Sequence, residues 1–208
     1  MDSLNKFKIP ERIEGLGEFA YNLWWSWHPV ARNLFKKIDR SLWKSTEHNP
    51  VALLNEIPYH NLVACAQDIE YLRKYDACLE AYKEGLSFQG TWFDKNYHEH
   101  LDKLTVYFSL EFALHNSLPL YAGGLGVLAG DYCKEVSDLG IPLIGVGFMY
   151  PQGYFHQFIS PDGWQNEIYD QLNFKNVAVS RVLAADGKLL TVAVPLDSIS
   201  IYVSAWKV

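Results

Sequence analysis

Between Asn61 and Lys83 the apolar residues Leu62, Cys65, Ile69, Leu72, Tyr75, Leu79 and Tyr82 recur at steps of three and four. This spacing lines one face of a helix, or of two helices broken near Asp68, and Gly85 supplies a stop. Upstream, a helical stretch is expected from Pro10 to about Trp27. Pro29 takes a first-turn position in "PVARNLFKKID". Asn49 before Pro50 reads as an N-cap with proline at N1, opening "VALLNEI". The amide oxygen accepts from a first-turn N–H, and proline lacks the N–H that would be orphaned there.

The period changes after about Gly90. "LTVYFSL" (Leu104 to Leu110) is β-rich, and "IPLIGVGFMY" (Ile141 to Tyr150) is a near-continuous apolar run, as expected of a strand buried on both faces. Between them Leu125, Leu128, Ala129, Tyr132, Cys133, Val136 and Leu139 form an amphipathic stripe that ends at Gly140, a C′ glycine. Strand, loop, helix and strand make a βαβ unit, parallel and right-handed. "VAVSRVLA", "ADGK" and "LLTVAVPL" read as a hairpin, and "ISIYVSAWKV" as a further strand. The expected fold is α/β, with a helical N-terminal extension over 1–88 and a partial α/β domain over 89–208. The run is still apolar at Val208, so the sequence reads as cut short.

Composition narrows the classes. The 208 residues are 49% hydrophobic with net charge -6, enough for a sizeable core. The acidic balance argues against a protein built to grip nucleic acid. No apolar run reaches the roughly 18 residues of a membrane span. "MDSLNKFKIPERIEG" has no secretory apolar stretch, so a cytoplasmic protein is expected. The three cysteines, Cys65, Cys78 and Cys133, form no CxxC pair and read as free thiols. Cys133 reads as a small buried apolar residue.

"YAGGLGVLAGD" (Tyr121 to Asp131) places four glycines at the mouth of a helix. Either they let chain segments pack tightly, or they leave room for an anion against unpaired N–H groups and the positive end of the helix dipole. A Walker loop is excluded, because Gly126 is followed by Val127 and Leu128. A dinucleotide fingerprint matches formally at Gly124, Gly126 and Ala129. However, Pro119 spoils the preceding strand, and no acid follows between Pro142 and Tyr154. Glu111, at the carboxyl end of a strand, is an acid/base candidate or a plain polar loop residue. His98, Glu99 and His100 lack HExxH spacing and read as a solvated helix face, so no metal site is expected. His28 reads as a hydrogen-bonder among tryptophans, and Asp162 as a turn residue. Ser109 and Ser117 lack a nucleophile elbow.

Taken in order, "NLWWSWHPVARNLFKKID…LWKSTEHNPVALL" (Asn22 to Leu54), "VYFSLEF" (Val106 to Phe112), "GGLGVLAGD", "LGIPLIGVGFMYPQGYFHQ" and "DGWQNE" resemble the α-glucan phosphorylases, the glycogen, starch and maltodextrin phosphorylase family, in its shorter bacterial and archaeal branch. The resemblance covers about Pro10 to Asn173. It implies a GT-B glycosyltransferase, of which this chain supplies the helical extension and the first part of the N-terminal Rossmann-like domain. It also implies phosphorolysis of glycogen or maltodextrin by orthophosphate to glucose 1-phosphate, with pyridoxal phosphate as cofactor.

Under the same resemblance Glu111 is the catalytic-site carboxylate near the cofactor. Gly123, Gly124, Leu125 and Gly126 form the loop beside the phosphates and glucosyl unit, and Tyr121 and Trp164 line or support the site. Ala122 replaces the family's frequent Asn or Ser, and His156 a frequent arginine. The cofactor-linking lysine and the basic phosphate-holding residues have no match in this chain, so the chain alone is expected to be inactive. It is expected to work with a missing C-terminal half, or as a homodimer. Two other readings stay open. One is a glycogen or starch synthase-like enzyme. The other is a glucan-binding or assembly module using Trp24, Trp25, Trp27 and Trp164.

Overall fold

The computed structural model describes residues 7–208. Its first part is helical: α1 (Leu16–Tyr21), α2 (Pro29–Ile38), α3 (Arg40–Ser45), α4 (Pro50–Glu56), α5 (Tyr59–Gln67), α6 (Ile69–Gly85) and α7 (Trp92–Tyr97). The capping signals act as their chemistry requires. Asn49 Oδ1 accepts from the N–H groups of Val51 and Ala52 at 3.0 and 3.1 Å. Asp68 breaks the long apolar stripe into α5 and α6 by accepting from Glu70 and Tyr71. Asp39 caps α3 in the same way.

The stretch from Pro10 to Trp27 is not one helix. It forms a 3-10 turn at Glu11–Ile13, then α1, then a second 3-10 turn at Leu23–Ser26. Asn22 is extended (φ -100°, ψ 115°), and its side chain accepts from Trp24 N–H, which starts the second turn instead of prolonging the first helix. The break turns Trp24 and Trp25 into the core, where they are 8% and 1% exposed.

The second part begins with β1 (Thr105–Phe108), α8 (Gly124–Leu139) and β2 (Leu143–Val146). β1 and β2 pair in parallel, with Val106 opposite Ile144 and Phe108 opposite Val146. Gly140 closes α8 with φ 74°, and Ile141 N–H returns to Val136 O at 3.1 Å. The remaining strands are β3 (His156–Ile159), β4 (Gln165–Ile168), β5 (Ser180–Arg181), β6 (Thr191–Leu196), β7 (Ile199–Ser204) and β8 (Trp206–Lys207). They pair antiparallel as β3–β4, β5–β8 and β6–β7. The architecture is a mixed α/β one.

Three expectations need correction. The "IPLIGVGFMY" strand is not buried on both faces: Ile144, Val146 and Phe148 are 49%, 41% and 62% exposed, because α8 and Phe112 pack on the opposite face of the β1–β2 ribbon, against Tyr107 and Gly145. The stripe of α8 packs only in part. Ala129 and Val136 are buried together with Gly126 and Gly130, and Cys133 and Leu139 are half-buried, whereas Leu125, Leu128 and Tyr132 are 51%, 68% and 48% exposed. The helix approaches its neighbours through its smallest residues, which a reading of large apolar side chains passes over. Finally, "ADGK" does turn the chain, with Gly187 at φ 77° and Leu183 bridged to Leu189, but the long hairpin lies one turn further on. There β6 and β7 pair over six residues around Asp197–Ser198, with Asp197 at φ 52°.

The helical part and the later segments share one core. Leu118, Leu120, Val177, Ala178 and Val179 are buried with Trp25, Phe35, Leu53 and Tyr71. Asn49 and Asn55 donate to the carbonyls of Asn176 and Lys175 at 2.6 and 2.9 Å, and Trp27 Nε1 donates to Asp138 of α8 at 3.0 Å. These ties set the base from which α8 and its glycine loop project.

Candidate functional site

The glycine loop enters α8 directly, with Gly123 as N-cap and Gly124 as the first helical residue. Its glycines divide into two kinds. A β-carbon on Gly126 would lie 2.6 Å from Tyr121 Cβ and 3.0 Å from a Glu111 oxygen, and one on Gly130 would collide with the Ala113 carbonyl. Both are required for close packing of α8 on the 111–113 segment, which Ala113 N–H cements by donating to Gly126 O at 2.8 Å. Around Gly123 and Gly124 nothing lies within 4 Å of such a carbon. Packing therefore accounts for the last two glycines. Open space lies beside the first two.

Glu111 sits beneath this turn. Its Oε2 accepts from the N–H groups of Ala122 and Gly123 at 3.0 and 3.2 Å. These bonds, Ala122's first, hold its carboxyl below the usual carboxylate range, so it is ionised at neutral pH. The carboxylate also complements the positive end of α8. The Gly124 and Leu125 N–H groups of the first turn have no intrahelical acceptor. An anion approaching from the open side would meet them and the neighbouring Glu111 charge together.

Tyr121 is half-buried and donates its hydroxyl to Asn116 Oδ1 at 2.8 Å. Trp164 lies on another element, in the turn between β3 and β4, and is 73% exposed. Of the tryptophans weighed as sugar contacts, Trp24 and Trp25 are core residues, which removes them from any glucan-binding surface. His28 does bond among the tryptophans: its Nδ1 lies 2.7 Å from Trp24 O, and its ring stacks on Trp24 at 3.7 Å. His98 pairs with Asp94 at 2.7 Å in an exposed setting. No group of three metal-ligating side chains occurs among the described residues.

The cysteines are free, and burial pushes the Cys78 thiol up to about 11. His115 was invisible to sequence reasoning, since "LHNS" carries no pattern. It packs edge-on against Trp25 at 4.6 Å and contacts Ser117 through Nδ1, and burial pushes its pKa down to about 4. It lies between the helical core and the segment that leads into the glycine loop.

The family model described as a protein of unknown function, DUF3417, matches residues 9–118, more than half of the chain. The chain belongs to the DUF3417 family. The matched DUF3417 region takes in the helical part, β1 and Glu111, and stops just short of the glycine loop.

Beyond it the similarity continues. The chain is 38% identical over 203 residues to a maltodextrin phosphorylase of Thermococcus litoralis, which covers 98% of this chain and 24% of that protein. It is 43% identical over 197 residues to a glycogen phosphorylase of Aquifex aeolicus, covering 94% of this chain and 27% of that protein. A glycogen phosphorylase of Mycobacterium tuberculosis is 38% identical over 205 residues, with coverages of 94% and 24%. The chain therefore matches the N-terminal region of phosphorylases, as its motifs imply, and spans about a quarter of the length of these relatives. No solved structure matches it. No helix among the described residues is long and apolar enough to cross a membrane.

Proposed function

We propose that this chain is the loop-bearing N-terminal part of a GT-B α-1,4-glucan phosphorylase, an enzyme that transfers terminal glucosyl units of glycogen or maltodextrin to orthophosphate. The observation that carries the reading is the open space beside Gly123 and Gly124 at the mouth of a sixteen-residue helix. There the Gly124 and Leu125 N–H groups point at no acceptor of their own helix, a setting suited to a phosphate oxygen. Glycine is needed at neither position for intrachain packing, which leaves this side of the loop open to a ligand.

Within this reading Gly123, Gly124, Leu125 and Gly126 stabilise phosphate charge by fixed backbone dipoles, which cost no reorganisation during reaction. Glu111 serves as a fixed anion that shapes the loop. Its ionised state and its two N–H donors suit it to holding the turn, not to giving up a proton. Tyr121 supports the loop through Asn116, and Trp164 offers an exposed ring to a sugar face. Pyridoxal phosphate, the cofactor this reading implies, supplies a phosphate group for acid/base chemistry when bound. The residues of this chain that fit that phosphate or the substrate's are the Gly124 and Leu125 amides. Its covalent attachment falls to residues outside this sequence.

The test is a chimera in which this chain replaces the corresponding N-terminal quarter of the Aquifex aeolicus relative. It is expected to release glucose 1-phosphate from maltoheptaose and orthophosphate. Gly124→Val, which fills the open space, is expected to lower kcat/KM for orthophosphate by on the order of a hundredfold. A folded chimera without phosphorolysis, or one indifferent to Gly124→Val, overturns the reading.

A further inference from the structure

A groove of about 910 Å³ runs along α2 and meets α3 and α6. Its floor is apolar: Leu34 and Ile38 are buried there, and Val30 stands exposed at the rim. Its walls are cationic. Lys36 and Lys37 come from the last turn of α2, Arg40 opens α3, and Lys74 reaches over from α6. The chain as a whole has 18 lysines and arginines against 24 acids, so this gathering runs against its average. Lys37 Nζ and Lys74 Nζ donate to the same oxygen of Glu70, at 3.3 and 2.5 Å, which brings two ammonium groups together over one negative charge. Lys36 and Arg40 form no ion pair among the described residues. Asp39, the acid on the lining, is already committed: its Oδ1 accepts from the N–H groups of Ser41 and Leu42, and its Oδ2 from Asn61. Four cations thus face Asp39 and Glu70 and leave an excess of positive charge. Like charges held around a concave, partly apolar site repel one another, and a bound anion relieves the repulsion.

The chemistry of the groove selects its occupant. Arg40 offers a planar fork that matches phosphate oxygens, and the lysines add point charges beside it. A bare phosphate would leave most of the space empty, since sites of roughly 300–1,000 Å³ hold whole small molecules. The apolar floor suits an uncharged portion of such a molecule. The helices enclose the floor themselves, because Leu34 and Ile38 belong to the core that they share. A rim of lysines is also a poor surface to bury against another part of the same fold, where the ammonium groups would lose their water without a partner. We infer that the groove between α2 and α6 binds a phosphorylated small molecule, its phosphate held by Lys37, Lys74 and Arg40 and its carbon skeleton laid along Val30, Leu34 and Ile38. The groove shares no residue with the glycine loop or Glu111, so the inference does not rest on the chemistry proposed there.

Amide NMR of the 208-residue chain tests it, with separate titrations of uridine 5′-monophosphate, glucose 1-phosphate and inorganic phosphate. The amides of Lys36 to Arg40 and of Lys74 are expected to shift with at least one of the two esters, with a Kd on the order of 0.1–1 mM, and inorganic phosphate to bind about tenfold more weakly. The tighter ester tells whether the uncharged portion is a nucleoside or a sugar. Lys37→Gln combined with Lys74→Gln is expected to weaken binding about tenfold or more, whereas Lys188→Gln in the "ADGK" turn leaves it unchanged. If loss of the Glu70 pairs unfolds the double variant, Arg40→Gln, which breaks no ion pair, replaces it with the same expectation. No shift of these amides up to about 10 mM of either ester overturns the inference. So does an affinity that survives the substitutions, and so does equal affinity for inorganic phosphate, which reduces the groove to a site for any anion. Gly124 and Leu125 amides report the loop in the same spectra. Groove shifts without loop shifts count against the loop reading alone, and loop shifts without groove shifts sink only this inference.

Discussion

Gly130 of α8 lies so close to the carbonyl of Ala113 that no β-carbon fits between them. The contact seats the helix on the segment that carries Glu111, and so fixes where the glycine loop points. Gly130→Ala is expected to destabilise the fold by about 1–3 kcal/mol, because the neighbouring atom is backbone and cannot swing aside. Gly124→Ala, in open space, is expected to leave stability unchanged or to raise it by less than about 1 kcal/mol. Chemical denaturation of the two variants side by side reads the difference.

The bonds from Ala122 and Gly123 to Glu111 predict an acid-range signature. The folded-state pKa of Glu111 is lowered, so the stability these bonds contribute is present above the unfolded carboxylate value and lost as pH falls through the folded one. In amide NMR spectra Ala122 and Gly123 are expected to shift together on acidification, with a midpoint below that of an ordinary glutamate. Glu111→Gln is expected to abolish the transition. Persistence of the shift in that variant would assign it to another group.

His115 predicts a second pH effect of a different kind. Its pKa is lowered to about 4, so the unfolded chain binds its proton more readily than the folded one. Stability from this residue is full above the ordinary imidazole value near 6.5 and falls as pH drops from there toward 4. His115→Phe is expected to flatten the fall in thermal midpoint between pH 6.5 and 4.5. An unchanged slope would count against the assignment.

The tryptophans separate cleanly. Trp25 is 1% exposed and packs edge-on against Phe35 and Trp43. Trp25→Ala is expected to cost about 3–5 kcal/mol, enough to unfold a marginal domain. Trp164 is 73% exposed, and Trp164→Ala is expected to change stability by less than about 0.5 kcal/mol. If Trp164 meets a sugar, its loss raises the KM for glucan in the chimera, whereas a ring with no ligand leaves KM unchanged.

Much was legible along the chain because it depends on near neighbours. The Asn49 cap, the break near Asp68, Pro29 at the start of α2 and the left-handed Gly140 are matters of three or four consecutive residues, and each took the conformation its residue type favours. The order of motifs also carried the similarity to the N-terminal region of phosphorylases, since it needs no geometry. The break at Asn22 was not legible, because "EFAYNLWW" is apolar enough to continue a helix. Asn22 stops it by capping Trp24 and by donating to Tyr82, sixty residues away.

The sequence by itself determined most of the helices, the parallel β–helix–β unit and the placing of four glycines at the mouth of α8, since periodicity, caps and glycines act locally. Only the tertiary structure decided which glycines serve packing and which stand beside open space. It alone set Glu111 under the loop. Those outcomes turn on distances between segments far apart in sequence, and a fraction of an ångström at Gly126 or Gly130 decides whether two backbones meet.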